Sequence, residues 1–148
     1  SQFSICGGIK IGRGFAYAYD EKTQYRLIEK KITDRYVQTK FECITQQGIT
    51  FYEICTVSDT GVEICVEGKG SLEIVFPIFL FDGKNETKIS VSEHSAEVEY
   101  KGYKCCYRTE GVVKEKHEIY ANRNGHYKAA AACGENKISL TIEINGIG

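Results

Sequence analysis

The sequence predicts an all-β fold, an antiparallel two-sheet β-sandwich, and three observations support this fold class. Apolar and polar residues alternate with a period of two along most of the chain, as strands with one buried face require. Turn-forming residues interrupt these patterns at a spacing of about ten residues, which is typical of sandwiches and barrels. No segment of helical length carries a convincing apolar period of about 3.6 residues.

The first half of the chain contains five predicted strands separated by short turns. In the first of them Phe15, Tyr17 and Tyr19 alternate with alanine, and comparable strand patterns continue in the segments that follow. Polar and glycine-containing turns at 46–48 and 58–61 end two of these strands. The five predicted strands cover residues 15–19, 25–32, 36–43, 49–57 and 62–66.

The segment from Leu72 to Phe81 differs from the others because it is apolar at almost every position. Such a strand is buried on both faces or packs against another part of a longer protein. Pro77 lies in its middle and has no backbone N–H to donate, which predicts a sheet edge or a bulge at this point. Asp82-Gly83 ends the strand.

The second half is predicted to continue in short antiparallel strands. Lys101-Gly102 between two alternating segments is typical of a two-residue primed turn, and it places Tyr100 opposite Tyr103. The four alanines at 129–132 fit either a helical turn or a strand. The other predicted strands cover 89–91, 96–100, the segment from 112 onward, and 138–144.

Length and charge restrict the functions that the chain can have. Its 148 residues fit a single domain, and the start at Ser1 together with the absence of methionine suggests a domain excised from a longer protein. Nineteen basic and twenty acidic residues are interspersed, so the concentrated basic surface that nucleic acid requires is not expected. The longest apolar run is too short to cross a bilayer. We therefore expect neither nucleic acid nor a membrane among its partners.

Seven cysteines are present, an odd number at irregular spacing. No C-x-x-C pair occurs, so the sequence predicts neither a zinc site nor a thioredoxin-like redox pair. Several cysteines lie in strand patterns beside Ile, Val or Tyr, where a free thiol acts as a small apolar side chain. We expect buried free thiols rather than a disulfide framework, which favours a reducing compartment such as the cytoplasm.

No catalytic residue, metal ligand or cofactor is predicted. His94, His117 and His126 lack the converging His, Cys or carboxylate partners that a metal requires, and the charged run around His117 is more simply a solvated edge. A Gly-x-Ser-x-Gly motif is absent, and acidic residues alternate with apolar ones as they do on a solvated sheet face. The glycines between 7 and 14 are not followed by the lysine of a phosphate-binding loop.

The most unusual segment runs from Tyr120 to Tyr127. It combines aromatic rings, which can stack on a pyranose, with planar polar groups, which can bridge sugar hydroxyls. An ordinary hairpin with Asn124-Gly125 at its tip explains the same residues, because this pair is typical of a type I′ turn. The predicted ligand-binding or interface residues are Tyr120, Asn122, Arg123, Asn124, His126 and Tyr127.

Three segments resemble a known family. They are the stretch LEIVFPIFLFDG from Leu72 to Gly83, the hairpin Tyr100-Lys101-Gly102-Tyr103, and the stretch NRNGHY from Asn122 to Tyr127. Together they resemble the β-sandwich domain that ends many bacterial polysaccharide-degrading proteins, notably the heparinase II/III-like lyases. The resemblance covers the latter half of the chain.

The resemblance implies an accessory role. In such proteins an α-helical toroid and a central sheet domain carry the catalytic Tyr, His and Arg or Asn, and the terminal sandwich mainly packs against them. This chain has no toroid, so no catalytic residue is carried over and the isolated domain is not expected to be an enzyme. The expected function is that of a non-catalytic accessory domain, whose partner is the remainder of the parent protein or a polysaccharide. The alternative is an independent carbohydrate- or protein-binding module.

Overall fold

The structure is a computed structural model that describes residues 5–122 and 125–147. These residues form eleven β-strands and no helix, so the predicted all-β class is confirmed. No helix able to span a membrane is found in this part of the chain. The strands are β1 (Cys6–Ile11), β2 (Gly14–Tyr17), β3 (Gln24–Ile32), β4 (Tyr36–Ile44), β5 (Thr50–Ser58), β6 (Gly61–Phe81), β7 (Lys88–Val91), β8 (Ser95–Tyr100), β9 (Tyr103–Arg108), β10 (Val112–Asn122) and β11 (Gly125–Gly146).

Two long strands, β6 and β11, organise the fold. They pair antiparallel on both sides of an irregularity between Glu135 and Lys137. There the N–H of Gly70 donates a hydrogen bond of 2.9 Å to Oδ1 of Asn136, and these two residues have φ angles of 123° and 65°. Because glycine and asparagine adopt positive φ at low cost, both strands continue through this point. The sequence pattern had divided each of these strands into two, and the prediction of separate strands at 62–66 and 72–81 is therefore wrong.

The irregularity divides the sheet into two antiparallel layers. The larger layer has the order β3-β4-β5-β6-β11-β9-β8-β7 and uses the first part of β6 and the last part of β11. The smaller layer has the order β2-β1-β6-β11-β10 and uses the remaining parts of the two long strands. Phe51 and Leu140 of the larger layer share one core cluster with Ile74 and Phe76 of the smaller layer. All eleven strands belong to one antiparallel sheet, and its division into two layers around a shared core fits the predicted two-sheet sandwich.

Several local predictions agree with the structure. Lys101 and Gly102 have φ angles of 47° and 82°, as a primed turn requires, and Tyr100 pairs with Tyr103. The four alanines at 129–132 belong to a strand. Pro77 lies at a local edge, because β1 pairs with β6 only as far as Val75 and, among the described strands, only β11 continues beside Pro77.

All seven cysteines are free thiols. Burial is the main reason why the pKa of Cys6 and that of Cys43 are raised to about 12, and the nearby Glu53 carboxyl adds to both shifts. Alkylating reagents react with the thiolate, which is scarce at pH 8 when the thiol pKa is this high.

We predict that iodoacetamide alkylates Cys6 and Cys43 slowly in the folded protein at pH 8, and that all seven cysteines react once the unreduced protein is denatured. Intact-mass spectrometry counts the adducts in each state. Two or more cysteines that stay unmodified after denaturation, but react after a reductant is added, would reveal disulfides and contradict the prediction.

Candidate functional site

A cavity lined by aromatic rings opens between the two layers of the sandwich. Its volume is about 250 Å³, and it reaches solvent beside Tyr103 and Ile144, which are 61% and 70% exposed. We call it the aromatic cavity. The smaller layer contributes Pro77, Phe79 and Tyr127, and the larger layer contributes Val98, Tyr100, Tyr103, Cys105, Tyr107 and Ile144.

Contacts between the rings hold the wall of the aromatic cavity in place. The ring of Phe79 packs edge-on against Tyr100 and at a tilt against Tyr127, with both centroid distances 5.1 Å. Tyr107 stacks on the buried ring of Phe76 at 4.5 Å. Such pairs gain energy beyond simple area burial, so these four rings of the lining are preorganised before any ligand arrives. Tyr103 is the exposed ring at the entrance.

A charged pair lies next to the aromatic cavity. The hydroxyl of Tyr100 donates a hydrogen bond to Asp82, which also accepts from the backbone N–H of Lys84 at 2.7 Å and of Asn85 at 2.6 Å. These hydrogen bonds, that of Tyr100 above all, hold the pKa of Asp82 below its usual range. Nζ of Lys101 lies 3.9 Å from the same carboxylate and 5.3 Å from the centre of the Tyr100 ring. The apolar lining therefore has an ionised pair at its border.

Tyr107 adds a hydroxyl that stays neutral. Burial, followed by the interactions with Cys105, raises the pKa of Tyr107 far above its usual range, so the phenol keeps its proton at neutral pH. A protonated phenol both donates and accepts hydrogen bonds, which suits it to an uncharged polar ligand.

The residues predicted at the turn do not form one site. Tyr127 lines the aromatic cavity, but its direct partner across the hairpin, Tyr120, packs against a separate cluster with Val75 and donates a hydrogen bond to Glu118. His126 is exposed, with its ring 5.8 Å from that of Phe81. Arg123 and Asn124 lie outside the described residues, as does the side chain of Asn122.

The predicted position of Gly125 at the tip of the hairpin is wrong. Gly125 belongs to β11 and pairs with Asn122. Its φ is 143°, and a Cβ placed on it would lie 2.1 Å from the carbonyl oxygen of Phe81. Glycine is therefore required by the close approach of β11 to the end of β6.

No group of three or more His, Cys, Asp or Glu side chains suited to a metal ion is found within residues 5–122 and 125–147. The aromatic cavity has no acidic, basic or imidazole side chain in its lining. What its geometry offers is ring stacking together with hydroxyl hydrogen bonds.

The chain is similar to known proteins in fold alone. No family model matches its sequence, and no curated protein matches it. The structure of the heparinase III BT4657 gene product matches with a TM-score of 0.65 and 11% identity over 84% of this chain and 22% of that one. The structure of HI1317 matches with a TM-score of 0.56 and 10% identity over 82% of this chain and 65% of that one. The chain thus spans less than two thirds of either protein.

Proposed function

We propose that this chain is a non-catalytic accessory β-sandwich domain of a polysaccharide-degrading protein, and that it contacts glycan through the aromatic cavity. The observation that carries the proposal is the lining, in which the rings of Tyr100, Tyr107, Tyr127 and Phe79 stand behind the exposed ring of Tyr103. Aromatic rings stack on the C–H faces of pyranoses, and tyrosine hydroxyls bond to sugar hydroxyls. The fold shared with heparinase III, whose name denotes a polysaccharide-degrading enzyme, is consistent with this role.

Packing against a catalytic domain requires an apolar surface, and the larger layer offers one. Ile32, Val37 and Val57 are direct partners across β3, β4 and β5, so their side chains share one face. The same row continues through Val62 and Ile142, which pack on the core. The first three are 68%, 39% and 49% exposed. We propose that the remainder of the parent protein packs against this exposed end of the apolar row.

A non-catalytic role agrees with the chemistry of the aromatic cavity. Depolymerising a polysaccharide requires a proton donor and a proton acceptor within reach of the scissile bond. The lining offers tyrosine hydroxyls but no carboxylate, imidazole or amine. The proposal therefore gives the cavity a binding role and leaves bond cleavage to another domain.

We predict that Tyr103→Ala and Tyr127→Ala each weaken glycan binding about tenfold, the loss expected when a stacking ring worth roughly 1–1.5 kcal/mol is removed. A glycan array identifies the ligands, and calorimetry with the strongest of them measures each affinity. Tyr19→Ala is the matched control, since Tyr19 is 53% exposed and does not line the cavity.

Two results would contradict the proposed function. If Tyr103→Ala and Tyr127→Ala both bind every glycan as the parent does, the aromatic cavity is not a glycan site. The alternative of a protein-binding module would then be favoured. Depolymerisation of a uronate-containing polysaccharide by the purified chain would overturn the non-catalytic part of the proposal.

A further inference from the structure

The hairpin of β1 and β2 forms one edge of the smaller layer and lies against the larger layer. Among the described strands β2 pairs only with β1, and β1 is joined to β6 through the four residue pairs from Cys6 to Ile9. A Cβ on Gly7 of β1 would lie 2.3 Å from Cγ2 of Val66 on the first part of β6. The direct partner of Val66 on β5 is Glu53, so the backbone of the hairpin covers this pair.

The carboxyl of Glu53 is enclosed beneath the hairpin without a cation. Its residue is 2% exposed and belongs to no ion pair within residues 5–122 and 125–147. The backbone N–H of Gly7 donates a hydrogen bond to this carboxyl, while Oε2 is buried without a partner in the described part of the chain. The carbonyl of Gly7 accepts a hydrogen bond of 2.9 Å from the N–H of Ala18, directly after β2. The hairpin itself therefore supplies the hydrogen bond to Glu53.

The groups around Glu53 provide no compensating charge near neutral pH. Five thiols and phenols interact electrostatically with its carboxyl, and burial raises the pKa of each above an ordinary value of 9 or more, so they are neutral between pH 6 and pH 8. They are Cys6 on β1, Tyr19 after β2, Tyr25 on β3, Cys43 on β4 and Cys55 on β5. From β6 the apolar Val66 faces the carboxyl. Ionisation of Glu53 thus introduces an uncompensated charge under the hairpin.

The outer side of the hairpin is held by a second carboxylate, which does have a cation. Tyr17 on β2 donates a hydrogen bond to Oε1 of Glu73, and Nζ of Lys116 on β10 lies 2.9 Å from the same oxygen. Gly8 on β1 is the direct partner of both Tyr17 and Glu73, and a Cβ there would lie 2.7 Å from the ring of Tyr17. Glycine therefore lets the ring cross β1. The hydrogen bond from Tyr17 to Glu73 opposes release of the hairpin.

We propose that the hairpin of β1 and β2 is a proton-controlled latch, closed over Glu53 while its carboxyl is protonated and released from the larger layer when the carboxyl ionises. A buried carboxylate without a cation is poorly solvated, and opening the hairpin returns it to water. Opening also withdraws Ile9, which is 1% exposed, from the core. The open form is therefore a minor state, and ionisation of Glu53 raises its population.

The direction of the pH dependence follows from burial. Burial raises the pKa of Glu53 from 4.5 to about 7 when the hairpin is closed, and water restores the ordinary value when it is open. Between these values the closed form binds more protons than the open form, so opening becomes more favourable as pH rises through this window. Above pH 7 the effect levels off, because the carboxyl is then ionised in both forms.

The test is hydrogen exchange of the whole chain at pH 6 and pH 8, followed by mass spectrometry and corrected for the intrinsic pH dependence of exchange. We expect the opening constant of the amides in β1 and β2 to rise about tenfold from pH 6 to pH 8. Amides around Leu140 in β11 should exchange more slowly than those of the hairpin at both pH values, because opening of the latch leaves the centre of the sheet paired.

Three variants separate the parts of the latch. Glu53→Gln should abolish the tenfold rise, since glutamine does not ionise, whereas Glu29→Gln removes an exposed carboxylate of β3 and should keep the rise. Tyr17→Phe removes the hydrogen bond to Glu73 and should raise the opening constant about tenfold at both pH values. Far-UV circular dichroism verifies that each variant is folded.

Each alternative outcome would overturn the proposal. A hairpin opening constant that is equal at pH 6 and pH 8 in the parent, or a rise that persists in Glu53→Gln, would show that Glu53 does not control the hairpin. Hairpin amides that exchange as slowly as those around Leu140 would show that the hairpin opens only with the whole fold. An unchanged opening constant in Tyr17→Phe would show that the hairpin does not leave Glu73 when it opens.

Discussion

Replacing Glu53 with glutamine should stabilise the folded protein at pH 8 by about 2 kcal/mol and destabilise it at pH 4 by about 1 kcal/mol. Glu53 lies on β5 on the core-facing side of the larger layer and is 2% exposed. Its carboxyl accepts a hydrogen bond from the backbone N–H of Gly7, but Oε2 is buried without a partner among the described residues. An ionised carboxylate in such a place is poorly solvated and costs stability.

The sign of the pH dependence follows from the direction of the pKa shift. Burial raises the pKa of Glu53 from 4.5 to about 7 in the folded protein. Between these two values the folded state binds more protons than the unfolded state, so the free energy of unfolding falls as pH rises through this window. The total loss amounts to about 3 kcal/mol. Glutamine cannot ionise and so avoids this loss, but its amide has to find a partner at a cost of about 1 kcal/mol.

Neighbouring groups should not obscure the effect. Five titratable groups interact electrostatically with the Glu53 carboxyl, and each has a pKa raised above an ordinary value that is already high. They are Cys6, Cys43, Cys55, Tyr19 and Tyr25. None therefore titrates between pH 4.5 and 7. Urea unfolding followed by far-UV circular dichroism, at intervals from pH 4 to pH 8, measures the difference between parent and variant.

Glu29→Gln is the control for Glu53→Gln, because Glu29 is an exposed carboxylate on β3. Its removal should leave the free energy of unfolding within about 0.5 kcal/mol at every pH. If the difference between parent and Glu53→Gln stayed constant from pH 4 to pH 8, Glu53 would not titrate in this window and the prediction would be wrong.

Replacing Phe76 with alanine should cost about 4 kcal/mol of stability, the largest loss we expect from a single truncation. Phe76 is fully buried on β6 and stacks on Tyr107, which lines the aromatic cavity. Truncation leaves a cavity in the shared core and removes the ring behind Tyr107. A domain whose free energy of unfolding is roughly 5–15 kcal/mol loses a large part of its stability in this way, so the urea midpoint should fall. Glycan affinity should also fall, because Tyr107 loses the ring on which it stacks.

Phe76→Leu separates packing from ring stacking. Leucine keeps most of the apolar volume, so the stability loss should be below about 2 kcal/mol, while the ring partner of Tyr107 is still lost. Reduced glycan affinity in Phe76→Leu at near-parental stability would support the role of Phe76 behind the cavity wall. A loss below about 1 kcal/mol for Phe76→Ala would show that the core repacks around Tyr107 and would contradict the prediction.

Much of the fold could be predicted from the sequence, because β-structure is encoded locally. Alternation of apolar and polar residues shows which side chains share a face, and Lys101-Gly102 has the pair of positive φ angles that its turn type requires. The sequence pattern also placed Glu53 on the same face as Phe51, although it could not show that this face would be covered. Local signals could not show that β6 and β11 continue through the region of Gly70 and Asn136, since that depends on pairing between residues 66 positions apart.

The candidate site was only partly predictable, for the same physical reason. A cluster of aromatic and polar residues around one turn identified Tyr127, but the other rings of the aromatic cavity come from β6, β8 and β9. The sequence by itself determined the strand pattern and the alternation of faces, since these depend on residues close together in the chain. The tertiary structure alone decided which faces of the strands were covered. It buried Glu53, paired Glu73 with Lys116 and brought the tyrosines of the aromatic cavity together. The reason is that strand pairing and layer packing join residues that no local pattern connects.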